Sequence, residues 1–178
     1  MRLEQSPVST EHVDQNRPEF FQENLALELF QAIPQLETRV STKEEDSGRI
    51  DIGPKQIIDA VSYLEKKPAM ALQITSSSSR EVRAKKLQEM RTKPFIRLPE
   101  MKPSEPAIPR VLVYLDKQYL AQIESGSLRN NPEAAIQVLS SAINSLKFDL
   151  TQTKNPLEQK SVQGLIQILE QEKRKYIH

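Results

Sequence analysis

The sequence predicts an α/β fold: a small mixed sheet flanked by helices, followed by a helical C-terminal region. Three observations predict it. Two apolar runs of strand length stand at residues 69–75 (AMALQIT) and 110–115 (RVLVYL). Phe21, Leu25, Leu29 and Ala32 recur at the spacing of one helix face. Late in the chain, Asn131 with Pro132 and Asn155 with Pro156 each pair an N-cap side chain with a proline suited to the first helical position.

The elements follow in order. Residues 1–17 are polar, contain Pro7 and show no apolar period, which reads as a flexible N-terminal arm. Pro18 opens a helix over 18–33, Phe20, Leu27 and Phe30 widen its apolar stripe, and Pro34 ends it. Residues 36–42, with β-branched Thr38, Val40 and Thr42, predict a short strand; 43–48 form a charged turn and 49–52 resume extended structure. Residues 57–64 carry two readings. As a strand, Ile57, Asp59, Val61 and Tyr63 share a face; as a helix, Ile57, Ile58, Val61 and Leu64 form a stripe. Length and the run that follows favour a strand hairpin with residues 69–75, turning at Lys66, Lys67 and Pro68.

Ser78 and Glu81 have capping-box spacing, so a helix starts there, runs to residue 92 and is closed by Pro94. Pro94, Pro99, Pro103, Pro106 and Pro109 mark residues 93–109 as extended linker or surface loop. The run 110–115 is apolar enough to be a central strand. Two helices complete the chain, one with Ala135, Leu139, Ala142, Ile143 and Leu146 on a face, the next with Val162, Leu165, Ile166 and Leu169. The organisation expected is an arm over 1–17, an α/β core over 18–122, and a helical region over 123–178 packed on that core.

Composition excludes several chemistries. The 178 residues include no cysteine, which removes disulfides, thiolate metal sites and cysteine nucleophiles, and only two histidines, His12 and His178. A multi-histidine metal centre or a triad built on a central histidine is therefore not expected. Lysine and arginine total 25 against 24 acidic residues, so the net charge of +1 exerts no global pull on nucleic acid or anionic membrane. No apolar run approaches the roughly 20 residues of a membrane helix, so the expectation is a cytoplasmic protein with no membrane partner.

The stretch 57–75, IIDAVSYLEKKPAMALQIT, resembles the core of the PD-(D/E)xK nuclease superfamily, the fold of many restriction enzymes and junction resolvases. The resemblance covers roughly residues 18–115 and implies a restriction-endonuclease-like core. It implies an aspartate on one strand of a hairpin, a D/E-x-K tripeptide on the next, and an acidic residue from the preceding helix. Asp59 stands at the aspartate position and would be the metal ligand; Gln73, Ile74 and Thr75 stand at the tripeptide; Glu23 or Glu28 supplies the helical carboxylate. The departures weigh against catalysis. Mg²⁺ prefers charged oxygen ligands, and Gln73 offers a neutral carbonyl. Thr75 has no cation to stabilise developing charge. Lys66, Lys67, Lys85 or Lys86 are the candidates for a relocated lysine. The expectation is a pseudo-nuclease with no cofactor, Mg²⁺ entering only if the site is active.

Plainer roles exist for each residue. Asp59 suits a strand-end carboxylate, Gln73 and Thr75 suit polar positions beneath a helix or at a sheet edge, and Glu28 suits a solvated helix face. The serines 76–79 fit a phosphate cradle at a helix N-terminus or a simple cap and turn. Residues 80–97 carry seven cations, Arg80, Arg83, Lys85, Lys86, Arg91, Lys93 and Arg97, against Glu81 and Glu89. On a helix they spread around the circumference, with Arg83 and Lys86 inside the arc of Val82, Leu87 and Met90. Phosphate contacts from Arg80, Arg83, Lys85 and Lys86 to DNA or RNA would be sequence-independent. The alternative is a non-enzymatic α/β protein–protein interaction module, docking through its helical C-terminal region.

Overall fold

The computed structural model describes residues 18–40, 58–75, 80–116, 118–119 and 128–177. The expected arm over 1–17, the turn and extended segment over 43–52 and the serines 76–79 lie outside them.

Helix α1 (Pro18–Gln31) is followed by strand β1 (Glu37–Val40) and the hairpin β2 (Ala60–Leu64) and β3 (Lys67–Thr75). Helix α2 (Arg80–Thr92) then leads to β4 (Phe95–Ile96) and β5 (Ile108–Tyr114). A 3₁₀ turn (Leu128–Asn130) precedes α3 (Pro132–Gln152) and α4 (Pro156–Arg174). The five strands form one mixed sheet in the order β1-β2-β3-β5-β4. β1, β2 and β3 pair antiparallel, whereas β3 and β5 pair parallel, with α2 in the connection between them. Residues 60–64 are therefore strand, in favour of the hairpin reading over the helical one.

The hairpin turn differs from expectation. Glu65 and Lys66 form it, both at positive φ (52° and 69°), while Lys67 and Pro68 belong to β3. A two-residue loop with both residues left-handed matches the twist of the flanking strands. Pro68 is tolerated because it faces Tyr63 where the β2–β3 register shifts, an irregular position that asks for no regular N–H donor.

The sheet separates two environments. Met70, Leu72 and Ile74 of β3 and Val111 and Val113 of β5 are buried with Leu25, Leu29 and Phe30 of α1 and with the apolar faces of α3 and α4. Ala71 and Val61 belong to a second, smaller core with Ile58, Ile96, Leu98 and Ile108. That core corrects the reading of 93–109 as linker. β4 pairs with Pro109 and Ile108, and the apolar residues between the prolines are buried although the prolines limit regular pairing. Val82 is also corrected: it is 41% exposed, and the inward arc of α2 is formed by half-buried Arg83, Lys86 and Leu87 with buried Met90.

Both Asn–Pro starts are realised. Asn131 accepts from the Ala134 amide at 3.1 Å, and Asn155 from Leu157 and Glu158 at 2.9 and 3.4 Å. Helix α3 lies along the edge of β5 that β3 leaves open. The amides of Leu112, Tyr114 and Asp116 donate to Ser145 Oγ (3.0 Å), Ser141 Oγ (2.9 Å) and Gln137 Oε1 (3.0 Å). Gln137 Nε2 returns a bond to the Tyr114 carbonyl at 2.7 Å. Polar side chains on one line of α3 thus replace the missing strand. Loss of a partner from a buried donor costs about 1–3 kcal/mol. Ser141→Ala with Ser145→Ala should lower unfolding free energy by about 3 kcal/mol, measured by urea denaturation, with α-helical circular dichroism retained before the transition.

Candidate functional site

Asp59 immediately precedes β2, and both its backbone and its carboxylate engage β3. Its amide donates to the Leu72 carbonyl at 2.8 Å, and its Oδ2 accepts from the Ile74 amide at 2.6 Å. The carboxylate therefore supplies one further rung to the hairpin ladder. Gln73 and Thr75 are buried on β3, opposite Leu112 and Tyr114 of β5. Glu28 is exposed on α1, the helix that packs with Met70, Leu72 and Ile74, the residues alternating with Gln73 and Thr75 on β3. The fold thus brings Asp59, Gln73 and Thr75 to one end of the β2–β3 pair and keeps Glu28 away from it. The side chain of Glu23 lies outside the described residues. Among the described residues no group of three or more His, Asp or Glu is placed to hold a metal ion.

The tripeptide end does meet cations, and they come from α2. Lys86 Nζ donates to Thr75 Oγ1 at 3.2 Å. The Arg83 guanidinium lies over the Tyr114 ring, 4.5 Å from its centroid, and Arg91 lies 4.5 Å over Phe148 of α3. Arg83 and Lys86 are half-buried, whereas Arg80, Lys85 and Arg91 are exposed. Of the four lysines weighed as relocated cations, Lys66 sits in the hairpin turn, Lys67 opens β3 beside it and Lys85 faces solvent. Lys86 alone of those four has a hydrogen bond to Thr75.

A feature that the sequence reading missed lies beneath the same helix. Leu87 and Met90 of α2, Arg110, Leu112 and Tyr114 of β5, and Asn144, Phe148 and Asp149 of α3 line a cavity of about 250 Å³. Asp149 is 3% exposed, and its Oδ2 has no hydrogen-bond partner. The line Gln137, Ser141, Ser145 continues to Asp149 four residues on, and the corresponding β5 residue is Arg110. The Arg110 amide is already taken, donating at 2.8 Å to the Pro94 carbonyl just before β4. The edge strand β4 has replaced the rung that Asp149 would have filled. The signal was present as polar residues at four-residue spacing inside an otherwise apolar helix, ending on an acid.

Charge at this point follows from burial. Desolvation raises the Asp149 carboxyl from 3.8 to about 8, against the attraction of Arg110. Arg110, 6% exposed, is lowered by burial and supported by Asp149 and Glu89; its Nη1 donates to the Lys93 carbonyl at 3.3 Å. Burial also raises the Tyr114 hydroxyl. Compared with protein-family models, curated proteins and solved structures, the chain matches none. No helix among the described residues is long and apolar enough to cross a membrane.

A stability consequence follows from Asp149. Between pH values of about 4 and 8 the folded protein keeps the proton and the unfolded chain releases it. The unfolded state binds fewer protons, so this group removes stability as pH rises, by about 1.4 kcal/mol per unit. Asp149→Asn should abolish that component. The wild-type protein should lose about 3 kcal/mol relative to the variant between pH values of about 5 and 7, measured by urea denaturation.

Proposed function

We propose that this chain is a nuclease-like fold protein whose metal site is degenerate and whose helix α2 binds nucleic-acid phosphates. The observation that carries the reading is the Lys86–Thr75 hydrogen bond, because it sets an ammonium beside the position where the superfamily's lysine would stand. The order helix, antiparallel hairpin, helix, parallel strand supports the resemblance of residues 18–115 to that superfamily. With Gln73 neutral and Asp59 engaged by the Ile74 amide, the hydrolytic metal loses the charged oxygens it needs. What remains is a cationic helix. Arg80 and Lys85 are exposed to reach phosphates, while Arg83 and Lys86 are anchored on the sheet beside them.

Among the described residues the exposed large apolar side chains are scattered, Val40 on β1, Val82 on α2, Leu157 at the start of α4 and Ile177 beyond its end, which does not favour the docking-module alternative. Binding through α2 predicts a steep salt dependence. Contacts from Arg80 and Lys85 give a log–log slope of about −2 on duplex DNA. Arg80→Glu with Lys85→Glu should weaken retention of unrelated sequences to a similar degree, since phosphates carry no base information. Neither Mg²⁺ nor Mn²⁺ should support cleavage of DNA or RNA. Turnover abolished by Asp59→Asn would overturn the degenerate site, and absence of retention at low salt would overturn phosphate binding.

A further inference from the structure

The cavity between α2, β5 and α3 has the make-up of a small-molecule site, with mostly apolar walls and a few convergent polar groups. A cavity of roughly 150 Å³ takes up benzene, so about 250 Å³ suits one ring with a short side chain. Leu87, Met90 and Leu112 supply apolar surface, and Phe148 supplies a ring face. Among the lining residues, Arg110 and Asp149 are each more than nine-tenths buried. Asp149 Oδ2 has no hydrogen-bond partner, although Arg110 is near enough to act on the carboxyl. Arg110 gives Nη1 to the Lys93 carbonyl at 3.3 Å, one of the several N–H groups a guanidinium carries. Both groups thus keep hydrogen-bonding capacity that the described residues leave unused, an omission a folded chain rarely shows without a use.

The charge state of the pair selects the ligand. Burial holds the Asp149 proton up to a pH of about 8, so at neutral pH the group presents an O–H donor beside a cation. Arg91, over the Phe148 ring at 4.5 Å, adds a second cation to the lining. A cationic ligand therefore meets two guanidinium groups and no anion. A carboxylate accepts from the remaining Arg110 donors and from the Asp149 hydroxyl, and its charge strengthens both bonds. It also keeps Asp149 protonated, because two carboxyl groups sharing a site cannot both ionise. A bare inorganic anion satisfies the donors but leaves the apolar walls uncovered. We propose that this cavity binds a small ring-bearing monocarboxylate, its ring against Leu87, Met90, Leu112 and Phe148 and its carboxylate on Arg110 and Asp149. Arg80 and Lys85, on which the proposed phosphate binding depends, do not line it.

The probe is 3-phenylpropanoate, which carries no phosphate, so its outcome is separate from that of the salt titration on α2. At neutral pH it should bind the full chain with a Kd below about 1 mM, the range open to a ligand of this size. It should shift the methyl NMR signals of Leu87, Met90 and Leu112. Acetate, which lacks the ring, and 3-phenylpropanamide, which lacks the charge, should each bind at least about tenfold more weakly. The cation 3-phenylpropylamine should not compete. Arg110→Gln removes the buried charge and should weaken 3-phenylpropanoate about tenfold or more. Between pH values of about 7 and 9 the wild-type affinity should fall about tenfold, as Asp149 releases the proton that the bound carboxylate needs. The other charged and titratable groups of the lining, Arg110 and Tyr114 of β5 and Arg91 of α2, have ordinary ranges above that interval. Asp149→Asn offers a donor with no proton to lose and should flatten the profile. The wild-type ligand series reads the proposal whether or not either variant folds. Amide or amine binding as tightly as the acid, acetate matching 3-phenylpropanoate, shifts confined to other methyl groups, or no binding would each overturn it. So would an affinity undiminished by Arg110→Gln, unchanged at the higher pH, or still pH-dependent in Asp149→Asn.

Discussion

β5 is paired by β3 along one edge, and along the other it presents amide groups that only its first residues can give to β4. An open strand edge has to be closed by something, since unpaired backbone donors removed from water are costly and invite pairing with other chains. Here the closing element is a helix. Ser145, Ser141 and Gln137 take the Leu112, Tyr114 and Asp116 amides, and the same helix buries Val138, Leu139 and Ala142 in the main core. The helical C-terminal region therefore belongs to the sheet's hydrogen bonding as much as to its hydrophobic packing, and the position of α3 fixes that of α4 against it.

The two faces of the sheet acquire different characters from this arrangement. One face is sealed by α1, α3 and α4 around large aliphatic side chains. The other receives α2, whose inward arc carries Arg83 and Lys86 rather than a continuous apolar stripe. A helix of that kind cannot close tightly over β5, and the space left beneath it is the cavity floored by Arg110 and Asp149. The cations of α2 and the buried carboxyl of α3 are thus two results of the same incomplete closure.

How far the sequence foretold this depends on whether a feature is local. The Asn–Pro starts are set by a side chain and its next few amides, so Asn131 and Asn155 were legible, as was the apolar run ending in β5. The strand state of residues 60–64 was legible only with its partner run in view. The turn was misplaced because Glu65 and Lys66 lack the asparagine or glycine that marks left-handed positions, while Pro68 offered a false signal. Residues 93–109 were read from their prolines, although Ile96, Leu98 and Ile108 carry the packing. Periodicity alone places Val82 inward and cannot foresee that the Tyr114 ring and the Thr75 hydroxyl draw Arg83 and Lys86 in instead. Asp59, Gln73 and Thr75 come together at one end of β2 and β3, but the contact of Lys86 with Thr75 joins elements whose relative placement no spacing discloses.

The helix-to-strand seam has a further property, which lies in its arithmetic. Four residues of α-helix advance about 6.0 Å, and two residues of strand about 6.6 Å, so successive rungs fall out of step by about 0.6 Å. Three rungs absorb that drift within hydrogen-bond tolerance; a long series would not. A single residue inserted between Gln137 and Ser145 would also swing the helix by about 100° and turn the later hydroxyls away from β5. Chain length is consequently frozen along this seam, whereas the connection between β4 and β5 is held by contacts of no fixed spacing, Arg97 to carbonyls of the connection itself and Glu100 to Tyr63 of β2. Insertions and deletions among descendants of this sequence are expected to avoid α3 and gather elsewhere.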